Sequence, residues 1–259
     1  MAQLEFDGGL AKKLDSMYRR RDVVRRRALV RDALAAQSGE RILDVGCGPG
    51  YYVAELAESV GESGRVTGVD PAAAMLEVAK GRCAELQNTD FHIGEATALP
   101  FDDRDFDAVV SVQVLEYVGE VDTALAEIAR VLRSGGRAVL WDVDWGTLSM
   151  NARDRDRCDR VLDVWDQHVA NPWLPRTLAV QMRAAGFDDV RMDAHAFATA
   201  DAHPESYGVQ LIEVIEPFVA ALGHEEDARA WAAEQRELME SAEFYAAVTQ
   251  CCFTARTAG

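Results

Sequence analysis

Lysine is almost missing from this chain of 259 residues. It stands only at positions 12, 13 and 80, so arginine supplies nearly all of the 27 basic side chains. A GC-rich coding bias accounts for that. A salt-adapted acidic surface is the other reading, because net charge bears on solubility and not on fold. Positive charge as a whole is scarce: 44 Asp and Glu leave a formal net charge of −17 and a pI near 4.7. A general nucleic-acid binder is thereby disfavoured, since phosphate recognition needs a basic face. No run of 18 apolar residues occurs, so no membrane-spanning helix is expected. Met1 to Leu10 lacks the charged-then-apolar layout of a signal peptide. Cysteine is sparse too. The five thiols are odd in number and follow no repeated spacing, which speaks for free thiols in the cytoplasm rather than a disulfide framework.

The length suits one compact α/β unit over 1–259 carrying an insertion or a lid. From Arg41 to Trp145 short apolar runs alternate with amphipathic stretches of helical length. Strands are expected over 41–45, 66–69, 90–94, 106–112 and 137–143. Helices are expected over 51–60, from Pro71 onward, and over 121–132. Strands alternating with helices predict a mostly parallel sheet covered on both faces. Before it, Asp22 is expected to cap a helix whose apolar stripe is Val23, Val24, Leu29, Val30 and Leu34. After Trp145 the rhythm changes. Helices at about 154–169 and 178–185, a half-exposed strand at 190–197, helices at about 205–222 and 225–241, and a closing strand at 244–254 are expected. The division is then an N-terminal helical segment (1–40), a core (41–145), and acceptor-side helices with closing strands (146–259).

The chemistry sits first in Ile42-Leu43-Asp44-Val45-Gly46-Cys47-Gly48-Pro49-Gly50, which joins a strand to a helix. Its glycines permit unusual backbone angles and close approach to a ligand. Asp70, at the end of the next strand, is placed to accept both hydroxyls of a ribose. A nucleoside-containing ligand at the carboxyl edge of the sheet follows. The pattern G-x-G-x-G puts Tyr51 where a dinucleotide fold has its third glycine. No Gly-Lys-Ser/Thr is present. Asp44 just before the loop would repel a pyrophosphate and suits a cationic ligand instead.

Asp44 to Gly50 resembles the first motif of class I S-adenosylmethionine-dependent methyltransferases, and Asp70 matches their acidic residue after the second strand. Gly94-Glu95-Ala96-Thr97-Ala98-Leu99-Pro100-Phe101 resembles their adenine-side motif, with Glu95 in place of the usual Asp. Phe106 to Ser111 resembles their fourth strand. Leu132-Arg133-Ser134-Gly135-Gly136 resembles the turn before the fifth, with Ser134 where Pro is usual. The likeness spans about 41–145 and points to the small-molecule branch that includes ubiquinone and menaquinone methyltransferases. It implies a doubly wound, mostly parallel seven-stranded sheet, a Rossmann-like methyltransferase fold with helical lid additions. It also implies S-adenosylmethionine as cofactor. Asp44, Gly46, Cys47, Gly48 and Gly50 would lie at its methionine part, Asp70 at the ribose, Pro71, Glu95 and Ala96 at adenine, and Gln113 near the sulfonium. Pro71 and Ala96 could equally serve packing alone.

Methyl transfer from a sulfonium is an in-line displacement from an activated donor, and orientation alone can supply about 7–11 kcal/mol. A general base is needed only where the acceptor must lose a proton. Glu116 and Asp144 are the candidate bases. Tyr18, Arg27, Tyr117, Trp145 and Arg176 are candidate acceptor contacts, Tyr18 and Arg27 through a lid that the resemblance implies for the basic segment Arg19-Arg20-Arg21 and Arg25-Arg26-Arg27. Each of these could equally be structural. His168 is expected to have a satisfied role near Trp165. No metal site is expected, and Cys251-Cys252 would point to opposite faces of a strand. The expected partner is a small-molecule acceptor, with no nucleic acid and no membrane span. The oligomeric state has no signal. The alternatives are a same-fold enzyme that uses the cofactor without methyl transfer, or an arsenite methyltransferase-like activity.

Overall fold

The computed structural model describes residues 17–259. The expectation for Met1–Leu10, and the first part of the 1–40 segment, lie outside the described residues.

Helix α1 (Arg21–Leu34) precedes strand β1 (Arg41–Val45). Then come α2 (Tyr51–Val60), β2 (Arg65–Asp70), α3 (Ala73–Arg82), β3 (Thr89–Ile93) and β4 (Phe106–Val112). A 3-10 turn (Leu115–Tyr117), α4 (Val121–Val131) and β5 (Leu132–Met150) complete the first half. The second half is α5 (Arg155–Trp165), α6 (Pro175–Ala184), β6 (Phe187–Thr199), α7 (Tyr207–Ala221), α8 (Glu225–Glu240) and β7 (Ala246–Thr257). The strands form one seven-stranded sheet in the order β3-β2-β1-β4-β5-β7-β6. β1 to β5 run parallel and β7 is antiparallel to both its neighbours. The chain order reverses between β1 and β4, the position where open α/β sheets bind ligands beyond their strand ends.

Two apolar clusters cover the two faces, and side-chain alternation along β5 feeds both. Val139, Trp141, Val143 and Trp145 join one cluster with α1, α2, α5, α7 and α8. Ala138 and Leu140 join the other with α4 and α6. Cys251 and Cys252 divide the same way, on opposite faces as expected.

Two local expectations for α1 are corrected. Asp22 does not cap it: Arg20 is the N-cap, and no side chain bonds there. The Asp22 carboxylate instead accepts the N–H of Tyr207 (2.8 Å), the first residue of α7. The buried stripe of α1 is also different. Val24 is 43 % exposed, and the face that packs inward is Val23, Arg26, Arg27, Val30 and Leu34. Arginine aliphatic stems fill the apolar spacing there.

Candidate active site

A cavity of about 580 Å³ opens at the carboxyl ends of β1, β2 and β4, a size in the range of small-molecule sites. It is lined on one side by Gly46, Gly48, Asp70 and Pro71, and on another by Glu95, Ala96 and Gln113. Tyr18 and Tyr117 complete it among the residues singled out from the sequence.

The loop after β1 is tied to β2: the N–H groups of Gly46 and Cys47 donate to the Val69 carbonyl at 2.8 and 3.0 Å. Gly46 (φ 71°) is required because a Cβ there would overlap the Val114 side chain of the opposite wall. Gly50 (φ 77°) is required for another reason, since a Cβ would press on Ala79 of α3 at 2.7 Å. Gly48 lines the cavity with room to spare, since a Cβ there would meet nothing nearer than the Tyr18 hydroxyl at 3.9 Å. Cys47 and Gly50 do not line the cavity; they seat the loop. The Cys47 side chain fills the space over Gly68, and burial raises its thiol pKa.

Asp70 accepts the Gly48 N–H at Oδ2 (2.9 Å) and the Ala72 N–H at Oδ1 (2.8 Å). Each oxygen keeps a second lone pair, so the carboxylate is fixed and can still accept hydroxyls. Burial raises its pKa and these two bonds lower it. Asp44, two residues before Gly46, is 1 % exposed and pairs with no cation among the described residues. Its Oδ2 has no hydrogen-bond partner there either. Burial, then the charge of Asp70, pushes its carboxyl up to about 8. Asp44 also acts electrostatically on Tyr18, on the cavity wall.

Gln113 takes a left-handed conformation (φ 54°) directly after β4. Its amide is held at both ends: Arg26 Nη1 donates to Oε1, and Nε2 donates to the Tyr207 hydroxyl (3.3 Å). Tyr18 stacks on Tyr51, with centroids 5.2 Å apart and planes 9° apart. Arg27 does not line the cavity. It donates to Glu55 (2.9 Å) and to the Tyr18 carbonyl, so it carries Tyr18 rather than facing a ligand.

The remaining candidates sit elsewhere. Glu116 is fully buried and does not line the cavity. Its Oε2 accepts the Val143 N–H (3.0 Å), and Asp142 accepts the Glu116 N–H (3.3 Å). Burial and neighbouring Asp142 hold the Glu116 carboxyl well above its usual range, and burial pushes Asp142 up to about 7. Asp144 is buried and taken by Arg176, whose Nε lies 2.9 and 3.2 Å from its two oxygens. Trp145 packs edge-on against Trp165 (5.6 Å) and His168 (4.6 Å). His168 stacks on Trp165 at 3.7 Å, and its Nδ1 sits 2.6 Å from the Trp165 carbonyl. The cavity therefore gathers Tyr18 and Tyr117 from the acceptor set, and leaves Glu116, Asp144, Trp145, Arg27 and Arg176 outside its lining.

Sequence reasoning missed Arg26 and Tyr207, which hold the Gln113 amide. Arg26 had a signal: it falls three residues after Val23 and four before Val30, on the buried face. Tyr207 had none, because only the fold brings α7 to Gln113.

Residues 43–140 match the model of a family described as a methyltransferase domain. Over that stretch, well under half of its length, the chain is similar to methyltransferase domains. It is 38 % identical over 162 residues to an uncharacterized 37.1 kDa protein in transposon TN4556 of Streptomyces fradiae, covering 62 % of this chain and 47 % of that protein. It is 40 % identical over 121 residues to a demethylmenaquinone methyltransferase of Staphylococcus epidermidis, covering 47 % of this chain and 50 % of that one. The chain thus spans about half the length of these curated relatives. Among solved structures it is similar to the [4+2]-cyclase SpnF, with a TM-score of 0.57, 24 % identity, and coverage of 90 % of this chain and 80 % of that one. That likeness concerns the fold alone.

Proposed function

We propose that this chain transfers a methyl group from S-adenosylmethionine to a small-molecule acceptor. The observation that carries the reading is Asp44, a buried carboxylate with an unpartnered oxygen and no cation, beside the glycine loop. A buried unpartnered carboxyl is costly to ionise, and a cation bound beside it offsets that cost. The cationic amino-acid end of this cofactor supplies one. When bound, the cofactor supplies the activated methyl group on a positively charged sulfur. Asp44 would hold its ammonium, Asp70 the ribose hydroxyls, and Pro71, Ala96 and Glu95 the adenine. Gln113, fixed by Arg26 and Tyr207, would orient the methyl-donor region. Tyr18 and Tyr117 would shape the acceptor side. In this reading positioning does most of the work, and Glu116 and Asp144 act in the framework rather than as bases. The demethylmenaquinone methyltransferase likeness supports a flat quinol-like acceptor as the first class to try. The five buried free thiols support a reducing, cytoplasmic setting. They do not favour arsenite chemistry, because burial raises the thiol pKa values, to about 11 at Cys251 and about 12 at Cys252.

Calorimetry with S-adenosylmethionine and S-adenosylhomocysteine tests the cofactor. Release of S-adenosylhomocysteine over a panel of quinols, phenols and amines tests the reaction. No binding at millimolar cofactor overturns the reading. Tight binding with no transfer to any acceptor class moves it to a same-fold enzyme that does not methylate, as the cyclase likeness allows.

A further inference from the structure

Arg26 is a buried cation that forms no ion pair with any described residue, and is only 2 % exposed. Its Nη1 donates to Gln113 Oε1, and its Nε has no partner. Its guanidinium carbon lies 5.9 Å from the ring centre of Tyr18. Both Gln113 and Tyr18 line the cavity. The groups that act on Arg26 most strongly are the hydroxyls of Tyr52, Tyr18 and Tyr207, all hydrogen-bond donors as well as acceptors. One carboxyl, Glu116, lies within electrostatic reach. Burial and Asp142 raise the pKa of that carboxyl, its Oε2 is taken by the Val143 N–H, and it forms no ion pair with Arg26.

A guanidinium taken out of water needs an anion, and the flat fork of arginine matches a carboxylate. We propose that Arg26, directly behind the lining residues Gln113 and Tyr18 and with the Tyr52 and Tyr207 hydroxyls around it, is the carboxylate-binding subsite reached from this cavity. The inference rests on the reading of the cavity as the cofactor and acceptor site. Asp44 marks the place for a positive group and Arg26 the place for a negative one, so the site is complementary to a ligand carrying both signs. The carboxylate has two possible sources, the amino-acid tail of the cofactor or an acidic acceptor.

Calorimetry on the wild-type chain separates them without any variant. If the source is the cofactor tail, decarboxylated S-adenosylmethionine binds at least about tenfold more weakly than S-adenosylmethionine. If the source is the acceptor, the two bind alike, and benzoate or salicylate binds to the chain saturated with S-adenosylhomocysteine. Arg26→Gln then abolishes whichever preference is seen, and Arg26→Lys restores part of it. Thermal melts of both variants show whether they are folded. Equal binding of the two cofactors together with no carboxylate binding at millimolar concentration overturns the subsite, whether or not Arg26→Gln folds. So does a folded Arg26→Gln that keeps the preference. Failure of S-adenosylmethionine itself to bind the wild type is a different result, and overturns the cofactor reading.

Discussion

Asp44 and Arg26 break the same rule with opposite signs. Each is a charged side chain at most 2 % exposed, and neither has an ion-pair partner among the described residues. Their settings differ. Asp44 stands on β1, bracketed in register by Gly68 of β2 and Val110 of β4. Arg26 stands on α1, a helix joined to α7 by the Asp22–Tyr207 bond and by Arg20–Glu213 (3.2 Å). A central strand fixes its side chains through backbone ladders on both sides. A helix laid over the sheet fixes them through side-chain contacts that its partners must also supply. Neither lines the cavity itself: the acid stands behind its rigid wall and the cation behind the wall assembled from distant segments.

The largest expected effect is at Asp44. Asp44→Asn should lower S-adenosylmethionine affinity by about 30-fold or more, the loss typical of truncating one side of a buried charge pair. In the unliganded chain the same change should be stabilising, with a defined pH dependence. The Asp44 carboxyl moves from an ordinary value near 3.8 up to about 8 on folding. The folded state thus holds this proton more tightly than the unfolded one. The associated stability is complete below about 4 and is lost as pH rises toward 8. Urea midpoints of wild type and Asp44→Asn should converge near pH 4 and separate toward pH 8, with the variant higher. Unchanged cofactor affinity would break the comparison at its stronger end.

The two walls also differ in how far they could be read from sequence. β1 (Arg41–Val45), α2 (Tyr51–Val60) and β4 (Phe106–Val112) begin and end where the sequence pattern predicts. The reason is local: an apolar run must stop at the glycine loop, and the loop can only turn into a helix. Asp44, Asp70 and Gly48 inherit their places from those boundaries. Arg26 and Tyr207 have no such anchor, being 181 positions apart and joined only through Gln113. The alternation of β5 was readable, with Trp141, Val143 and Trp145 on one face. What meets Asp142 and Asp144 on the other face was not. Glu116 reaches there from a 3-10 turn and Arg176 from α6, contacts between distant segments that no local pattern encodes.

Glu116 sharpens the comparison from another side, as a buried acid outside the cavity lining. It is expected to matter for stability and little for ligand. Glu116→Ala strands the buried Val143 N–H and should cost about 1–3 kcal/mol in urea denaturation. Glu116→Gln keeps an oxygen for that N–H and should cost less. S-adenosylmethionine affinity in Glu116→Gln should stay within about threefold of wild type, a shift under about 0.7 kcal/mol. A large loss of affinity in that variant would extend the ligand-sensitive region beyond Asp44 and Arg26.

The smallest effect is expected at Arg176, which holds Asp144 from an exposed position on α6. Unlike Arg26, it has its carboxylate already, at 2.9 Å, and unlike Asp44, its partner has its cation. A pair satisfied within the protein has no call on a ligand. Arg176→Ala and Asp144→Asn should therefore leave kcat/KM for any acceptor found within about twofold, or roughly 0.4 kcal/mol in transition-state stabilisation. A more than tenfold fall in kcat with S-adenosylmethionine affinity unchanged would mean that the pair opens onto the acceptor during turnover. The unpaired charges would then no longer be the better guide to this site, and Asp144 would return as a base.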